Sequence, residues 1–491
     1  MAAVSLDHVE VRDKVIALLC GAMLVFAPLV LGGNRPLPLL ILELGACALI
    51  IAIGAELTAL RKLSRLGQIW LIALIALPAV YLVPVPFSQS GADLYEHVHA
   101  LVGHDSPWRT LSIVPIETER SWYALAPACA IFIALFVMPA RYVWPLVMVA
   151  LAVAAGEALL GIAQYLLGPA SVLRWGISHY PDSAIGTFAN RNHLAGLLEM
   201  ALPIALAWLA SASVQAARPR NFSPPLGGPA WTRQDRHFWA STAVVLLFLI
   251  ALVLTRSRTG MALAMIGIVA GGIAFVRAGG VRPTVRPLVS IVAIGFVVLL
   301  LLGLIPILMR FVTLDPLNDV RWTVFARTTE LAGLFFPFGS GPGTFAAVFP
   351  RVQPPDLRYI VNHAHNDYLE WLVEVGIFAV LFVAGFVVLF CQRGWALARQ
   401  PRETRDSSYV IQIGAGISII LLAMHSVVDF NLRIPANQIF FAFWAGLFFR
   451  TGWGQLVPPK GRLAPNADST LWIEPLGVRT PPPGVKNPFC E

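Results

Sequence analysis

Apolar runs of about 20 residues, the length an α-helix needs to cross the hydrocarbon core of a bilayer, recur about twelve times along this 491-residue chain. They lie near residues 15–32, 37–56, 69–87, 122–140, 143–167, 193–212, 238–255, 260–276, 288–309, 374–391, 409–428 and 437–450. Within a bilayer the backbone must satisfy its own hydrogen bonds, which a helix does along its length. The expected fold is therefore all-α, a polytopic membrane bundle of about 12 helices. Composition agrees: 57% of residues are hydrophobic and 13% charged, with a mean hydropathy of +0.72, against about 45–50% and about 25% in soluble domains. The first run is full length, is followed at once by another and lacks a small-residue cleavage site before Asn34 and Arg35, so it is expected to stay in the mature protein. Cys20, Cys47, Cys129, Cys391 and Cys490 are scattered and spell neither a disulfide framework nor a metal site.

Orientation follows from Lys and Arg. With the N-terminus inside, most of the 35 basic residues fall in cytoplasmic segments although the longest loops lie outside. The net charge of +8 is then a topology signal and not a footprint for nucleic acid. An even number of spans puts both termini in the cytoplasm. Residues 1–454 read as one membrane domain. Beyond Gly454 the chain turns Pro-rich, with Pro481 to Pro483 in sequence and no apolar periodicity, so 455–491 are expected to be a disordered cytoplasmic tail.

This parity leaves four segments outside: 88–121, 168–192, the turn 256–259 and the stretch 313–373, which is too long for a mere connector. Its end, NHAHNDYLEWLVEVGIFA at 362–379, sets His363, His365, Asn366, Asp367, Glu370 and Glu374 against the start of an apolar run. The Gly-rich PFGSGPGTFAAVFP before it lacks the Lys and Ser/Thr ending of a phosphate loop and reads as turns with close backbone approach. Arg256 and Arg258 sit in an outer turn where topology gives no reason for a cationic pair, and Arg191, Arg321, Arg327 and Arg358 add positive charge on that side. The pair either snorkels to lipid head groups or binds an anion, and a guanidinium fork suits a diphosphate. The outer loops show no acidic cluster of the kind a metal-dependent transferase needs. Zinc on His363 and His365 lacks a partner cluster.

Glu43, Glu157, Glu199 and Arg310 lie within or at the edges of runs, where pairing inside the bundle competes with a functional role. His425 and Asp429, four apart, share a helical face at an outer end with Arg433 just beyond, and either tie the last spans to the long loop or touch substrate. Trp70 and Trp453 read as interfacial anchors. Segment 88–122 is expected to form a short surface helix, and no role is assigned to its His97, His99 and His104.

Five motifs in order, GTFANRNHLAG (186–196), SRTG (257–260), GSGPGTF (339–345), His365-Asn366 followed nine residues on by Gly376, and HSVVDFNLRIPAN (425–437), make the chain resemble the O-antigen ligase and polymerase family over about residues 15–450. The resemblance implies a GT-C type of membrane architecture with a large periplasmic loop, here 313–373, in the bacterial inner membrane. It implies transfer of a glycan from an undecaprenyl-diphosphate donor to a hydroxyl acceptor, inverting and without metal or other cofactor. The acceptor is another lipid-linked glycan for a polymerase or lipid A core for a ligase, with a protein acceptor as a third choice. Mapped onto this chain, His365 becomes the candidate base. Arg191 and Arg258 become the candidate diphosphate clamp, with Arg256, Arg321, Asn366 and His363 as weaker contacts. Expected partners are the donor, the acceptor, membrane lipid and other polysaccharide assembly proteins, with no nucleic acid. A lipid-linked glycan flippase and a structural subunit of a polysaccharide export complex stay open as alternatives.

Overall fold

The computed structural model of the protein describes residues 2–86, 108–177, 179–216, 233–278, 297, 320–401 and 404–451. The apolar runs become long helices: α1 (Ala2–Leu29), α2 (Pro36–Ile53), α3 (Arg65–Leu82), α4 (Pro115–Val137), α5 (Ala140–Leu167), α6 (Arg191–Ala216), α7 (Arg233–Thr255) and α8 (Arg258–Ala278). After α9 (Val320–Phe335) and the short α10 (Asp367–Val375) come α11 (Ile377–Ala398), α12 (Ser407–His425) and α13 (Pro435–Phe449). Among the described residues, nine helices are long and apolar enough to cross a membrane. The helix α1 carries Arg12, Asp13 and Lys14 near its start, and α13, at 15 residues, is short. Eleven of the expected runs thus fall on helices; the twelfth, 288–309, lies outside the described residues, as do the expected tail 455–491 and most of segment 88–122. What is described of that last segment is a strand, Trp108–Thr110, paired antiparallel with Pro84–Pro86, and then the start of α4. All described residues belong to one unit, Met1–Leu456.

The centre of the bundle is α6, almost wholly buried, with α12 beside it. Small residues permit the close contact that helices need in lipid, where apolar surface gains little from meeting apolar surface. Gly414 of α12 lies against the Pro203 carbonyl, where a methyl group would come to 2.9 Å, and Ser418 Oγ donates to Met200 O at 2.6 Å. Side-chain caps fix the helix starts: Ser64 accepts from Gly67 N at α3, Asp406 from Ser408 N and Tyr409 N at α12, and Asn366 from Tyr368 N and Leu369 N at α10.

Residues 320–376 fold over one end of the bundle around a core of their own. Val324 and Leu331 of α9, Phe345, Phe349, Val361 and Val373 bury each other there. Backbone pairing holds the Gly-rich strip to α10, with Ser340 N to Val373 O at 2.9 Å, Gly341 N to Glu374 O at 2.8 Å and Ile377 N to Pro337 O at 2.8 Å. The approach is so close that a methyl group on Gly376 would stand 2.0 Å from Pro337 O, and one on Gly339 2.4 Å from the Glu374 carbonyl. Both glycines have positive φ, which only glycine takes up at little cost. The glycine of the His-Asn-x9-Gly pattern is therefore fixed by backbone contact.

Candidate active site

The end of the bundle under this cap gathers the starts of α6, α8 and α10 and the connector between α12 and α13. A cavity of about 370 Å³ opens there, lined among others by Asn190, His193, Arg321, His363, His365 and Phe430. The Phe430 ring organises three imidazoles: His363 stacks on it at 4.3 Å, and His365 and His193 meet it edge to face at 5.0 and 4.7 Å.

Behind the ring lies the buried carboxylate of Asp429. It stands 3.4 Å from His365 Nδ1, 2.5 Å from Asn192 Nδ2, 3.6 Å from Arg321 Nη2 and 4.0 Å from His193 Nε2. The Phe430 N–H also donates to it at 2.9 Å. Burial alone would raise the Asp429 carboxyl, but the hydrogen bond from His365 and the charges of His193 and Arg321 hold it well below the usual carboxylate range. An ionised carboxylate only accepts. A hydrogen bond between them therefore places a proton on His365 Nδ1, and in the neutral imidazole that tautomer leaves the lone pair on Nε2. The His365 side chain is about a third exposed, so that nitrogen remains reachable from the cavity.

A second layer fixes the segment carrying the histidines. His363 Nδ1 lies 3.1 Å from Glu370 Oε1, and Ala364 N donates to Glu370 Oε2 at 2.8 Å. Arg433 reaches Glu370 at 3.3 Å and Glu374 at 2.6 Å. Burial opposes charge on Glu370, yet Arg433 and His363 keep it below the usual carboxylate range. Burial also opposes charge on Arg433, but Glu374, Glu370 and Asp367 hold its proton more firmly than usual. Asp367, with Leu432 N donating to Oδ2 at 3.0 Å, is pushed by burial up to about 7, with Arg433 working against the rise.

The expected site residues divide into two groups. His363, His365 and Arg321 line the cavity, and Arg321 Nη1 also donates to Val428 O at 2.8 Å. Asn366 lies beside them but spends its side-chain oxygen on capping α10. Arg191, Arg256 and Arg258 are not among the lining residues. Arg191 Nη1 donates to Ser183 Oγ at 3.3 Å, and its guanidinium lies 5.1 Å from the Tyr180 ring. Arg256 lies 5.7 Å from the Tyr165 ring. Arg258 opens α8, whose Gly260 touches Ala195 one turn into α6, so the starts of the two helices abut. Arg191 is joined to the cavity through both neighbours: Asn190 lines it, and Asn192 binds Asp429.

Sequence reasoning left Asp429, His193, Asn192 and Phe430 off the site. The His425 and Asp429 pair was expected on one helical face, but α12 ends at His425 and the chain turns away. His425 then meets Glu199 at 3.0 Å inside the bundle, and Asp429 meets the histidine segment. Asp429 thus joins the connector after α12 to the long loop, while His425 pairs with α6 inside the bundle. Glu157 likewise pairs internally, accepting from Thr187 N and Oγ1 at 2.8 Å. Among the described residues no group of three or more His, Cys, Asp or Glu is arranged to hold a metal ion.

No curated protein matches the chain significantly. Residues 243–384, which carry Arg256, Arg258, Arg321, His363, His365 and Gly376, match the family model described as O-antigen ligase. This match, on a bundle of membrane-length helices, supports an assignment to the O-antigen ligase family and, with it, to membrane glycan-transferring enzymes.

Proposed function

We propose that the protein transfers a glycan from an undecaprenyl-diphosphate donor to a hydroxyl acceptor at the periplasmic face of the bacterial inner membrane. The observation that carries this reading is His365, on the wall of the cavity with Nδ1 directed at the buried Asp429 carboxylate. In the proposed reaction His365 Nε2 takes the proton of the acceptor hydroxyl while the acceptor oxygen attacks the anomeric carbon. The bond from that carbon to the diphosphate oxygen breaks with inversion, and the leaving group departs with its electron pair. Arg191 and Arg258, at the abutting starts of α6 and α8, receive the growing charge of the diphosphate, with Arg256 and Arg321 as further contacts. Charge-assisted guanidinium bonds supply this without a metal ion. The acceptor is another lipid-linked repeat unit or lipid A core.

The test is a transfer assay on purified protein in nanodiscs containing EDTA, offering a lipid-linked repeat unit alone or with lipid A core, for wild type and His365→Ala. Longer lipid-linked products from the donor alone identify a polymerase, and product only with core a ligase. His365→Ala is expected to insert normally and to lose transfer. A silent wild type with matched glycan in both arms would overturn the reading, as would an active His365→Ala.

A further inference from the structure

The opposite end of the bundle holds a second cleft, of about 220 Å³, between α3, α4, α11 and α13. Its wall is a chain of aromatic rings: Trp70 lies 5.7 Å from Phe386, Phe386 6.1 Å from Phe449, and Phe449 6.4 Å from Phe132. The indole N–H of Trp70 donates to Phe382 O at 2.9 Å, so its polar edge is already engaged and the ring serves as apolar surface. Leu71 and Leu389 extend that surface.

The rim is cationic. Lys62 and Arg393 both line the cleft, with Ser64 and Gln392 beside them, and no Asp or Glu is among the described lining residues. Arg393 has a structural duty, donating to Phe448 O at 2.8 Å and Arg450 O at 2.6 Å at the end of α13. Those carbonyls satisfy hydrogen bonds without neutralising the charge. Lys62 has no comparable duty: its ammonium stands 3.5 Å from Phe136 O, a weak contact for a group with three hydrogens to donate. Leu66 and Ile69 of α3 and Val388 of α11, neighbours of the lining residues, are exposed apolar side chains, so the cleft opens onto a surface suited to acyl chains.

We propose that this cleft binds one anionic phospholipid. The phosphate would lie against Lys62 and Arg393, and part of one acyl chain along Trp70, Phe386, Phe449 and Phe132. A soluble anion gains nothing from the aromatic wall, and a lipid without net charge leaves two cations unanswered at the edge of an apolar slot. Only an amphiphile with a negative head matches both halves.

The test is native mass spectrometry of the full-length protein in detergent, titrated with phosphatidylglycerol or phosphatidylcholine of identical chains. The expected result is a first adduct that favours phosphatidylglycerol by about tenfold, weakened about fivefold by Lys62→Gln and further by Lys62→Glu, at about 1 kcal/mol for each basic residue near a membrane surface. Arg61→Glu reverses an adjacent exposed charge outside the cleft and is expected to leave the adduct intact. Equal binding of phosphatidylcholine by the wild type, a comparison that needs no variant, would overturn the proposal. So would equal weakening by Arg61→Glu and Lys62→Glu, which would mean diffuse surface charge, or full displacement of the lipid by glycerol phosphate at the same concentration, which would mean a soluble-anion site.

Discussion

At His365 the backbone is left-handed, with φ of 54°, a conformation that costs a non-glycine residue of order 1–3 kcal/mol unless its surroundings impose it. Here they do: Ala364 N is bound by Glu370 on one side and Asp367 N by Ser426 O at 2.9 Å on the other, so the imidazole is presented to the cavity by a fixed backbone. Asp429 then sets the tautomer. Asp429→Asn keeps the shape but can turn an amide N–H toward Nδ1, and it is expected to lower kcat for transfer by about 10- to 100-fold, the usual loss when the partner orienting a histidine is removed. KM for the donor should change little, and steady-state assays read the two apart. Asp367 yields a pH prediction. Its carboxyl rises from the usual 3.8 to about 7 because it is buried, so the fold holds its proton more tightly than the unfolded chain does. The sign follows: this contribution is fully present below about pH 3.8 and is lost as the pH rises through about 7. Asp367→Asn should therefore gain most in melting temperature over wild type near pH 8, with the gap closing toward pH 5. A gap that stays constant with pH would refute the assignment. Of these residues, His365 was legible in the sequence because its motif is local. Asp429 was not, because it lies 64 residues further on and only the fold brings the two to 3.4 Å.

Among the elements, the glycine strip and α10 show how a short motif encodes a tertiary contact. Gly376 ends α10 at a φ of 56°, and a side chain there meets Pro337 O at 2.0 Å. Gly376→Ala is expected to destabilise the fold by more than about 1 kcal/mol, since the strain of a positive φ adds to the clash. Gly394→Ala, within α11 where an added methyl group meets nothing within 4 Å, should be neutral or stabilising by up to about 1 kcal/mol. Thermal unfolding in detergent, followed by circular dichroism, separates the two. The spacing of apolar runs was enough to place most helices, but some boundaries moved for local reasons. The last span starts two residues earlier than expected, at Pro435, and ends at Phe449, because Pro435 opens the helix and the turn before it carries Arg433. The strand Trp108–Thr110 was not anticipated, since its pairing with Pro84–Pro86 is a contact between distant segments that local periodicity does not encode.

For the whole molecule, the candidate site and the lipid cleft occupy opposite ends of the bundle. The site lies at the starts of α6 and α9 and the connector between α12 and α13, while the cleft lies at the start of α3 and the far end of α11. The proposed orientation puts the site in the periplasm, and cysteine labelling checks it. In a background without the five native cysteines, Arg358→Cys should react with an impermeant maleimide in intact cells, and Arg399→Cys only after permeabilisation. The reverse pattern would invert the orientation. Sequence alone determined that the chain is an all-helical membrane bundle with a chemically distinctive outer segment, because run length and hydropathy answer directly to bilayer thickness and to the need to pair every backbone group in lipid. It also pointed to His365 and to the arginines at the helix starts. Tertiary structure decided which of these meet: Phe430 gathers three histidines, Asp429 lies behind them, Arg433 clamps Glu370 and Glu374, and Arg191, Arg256 and Arg258 stay off the cavity wall. Contacts of that kind depend on how helices far apart in sequence cross and on what is buried between them, and no local pattern of residues carries that information.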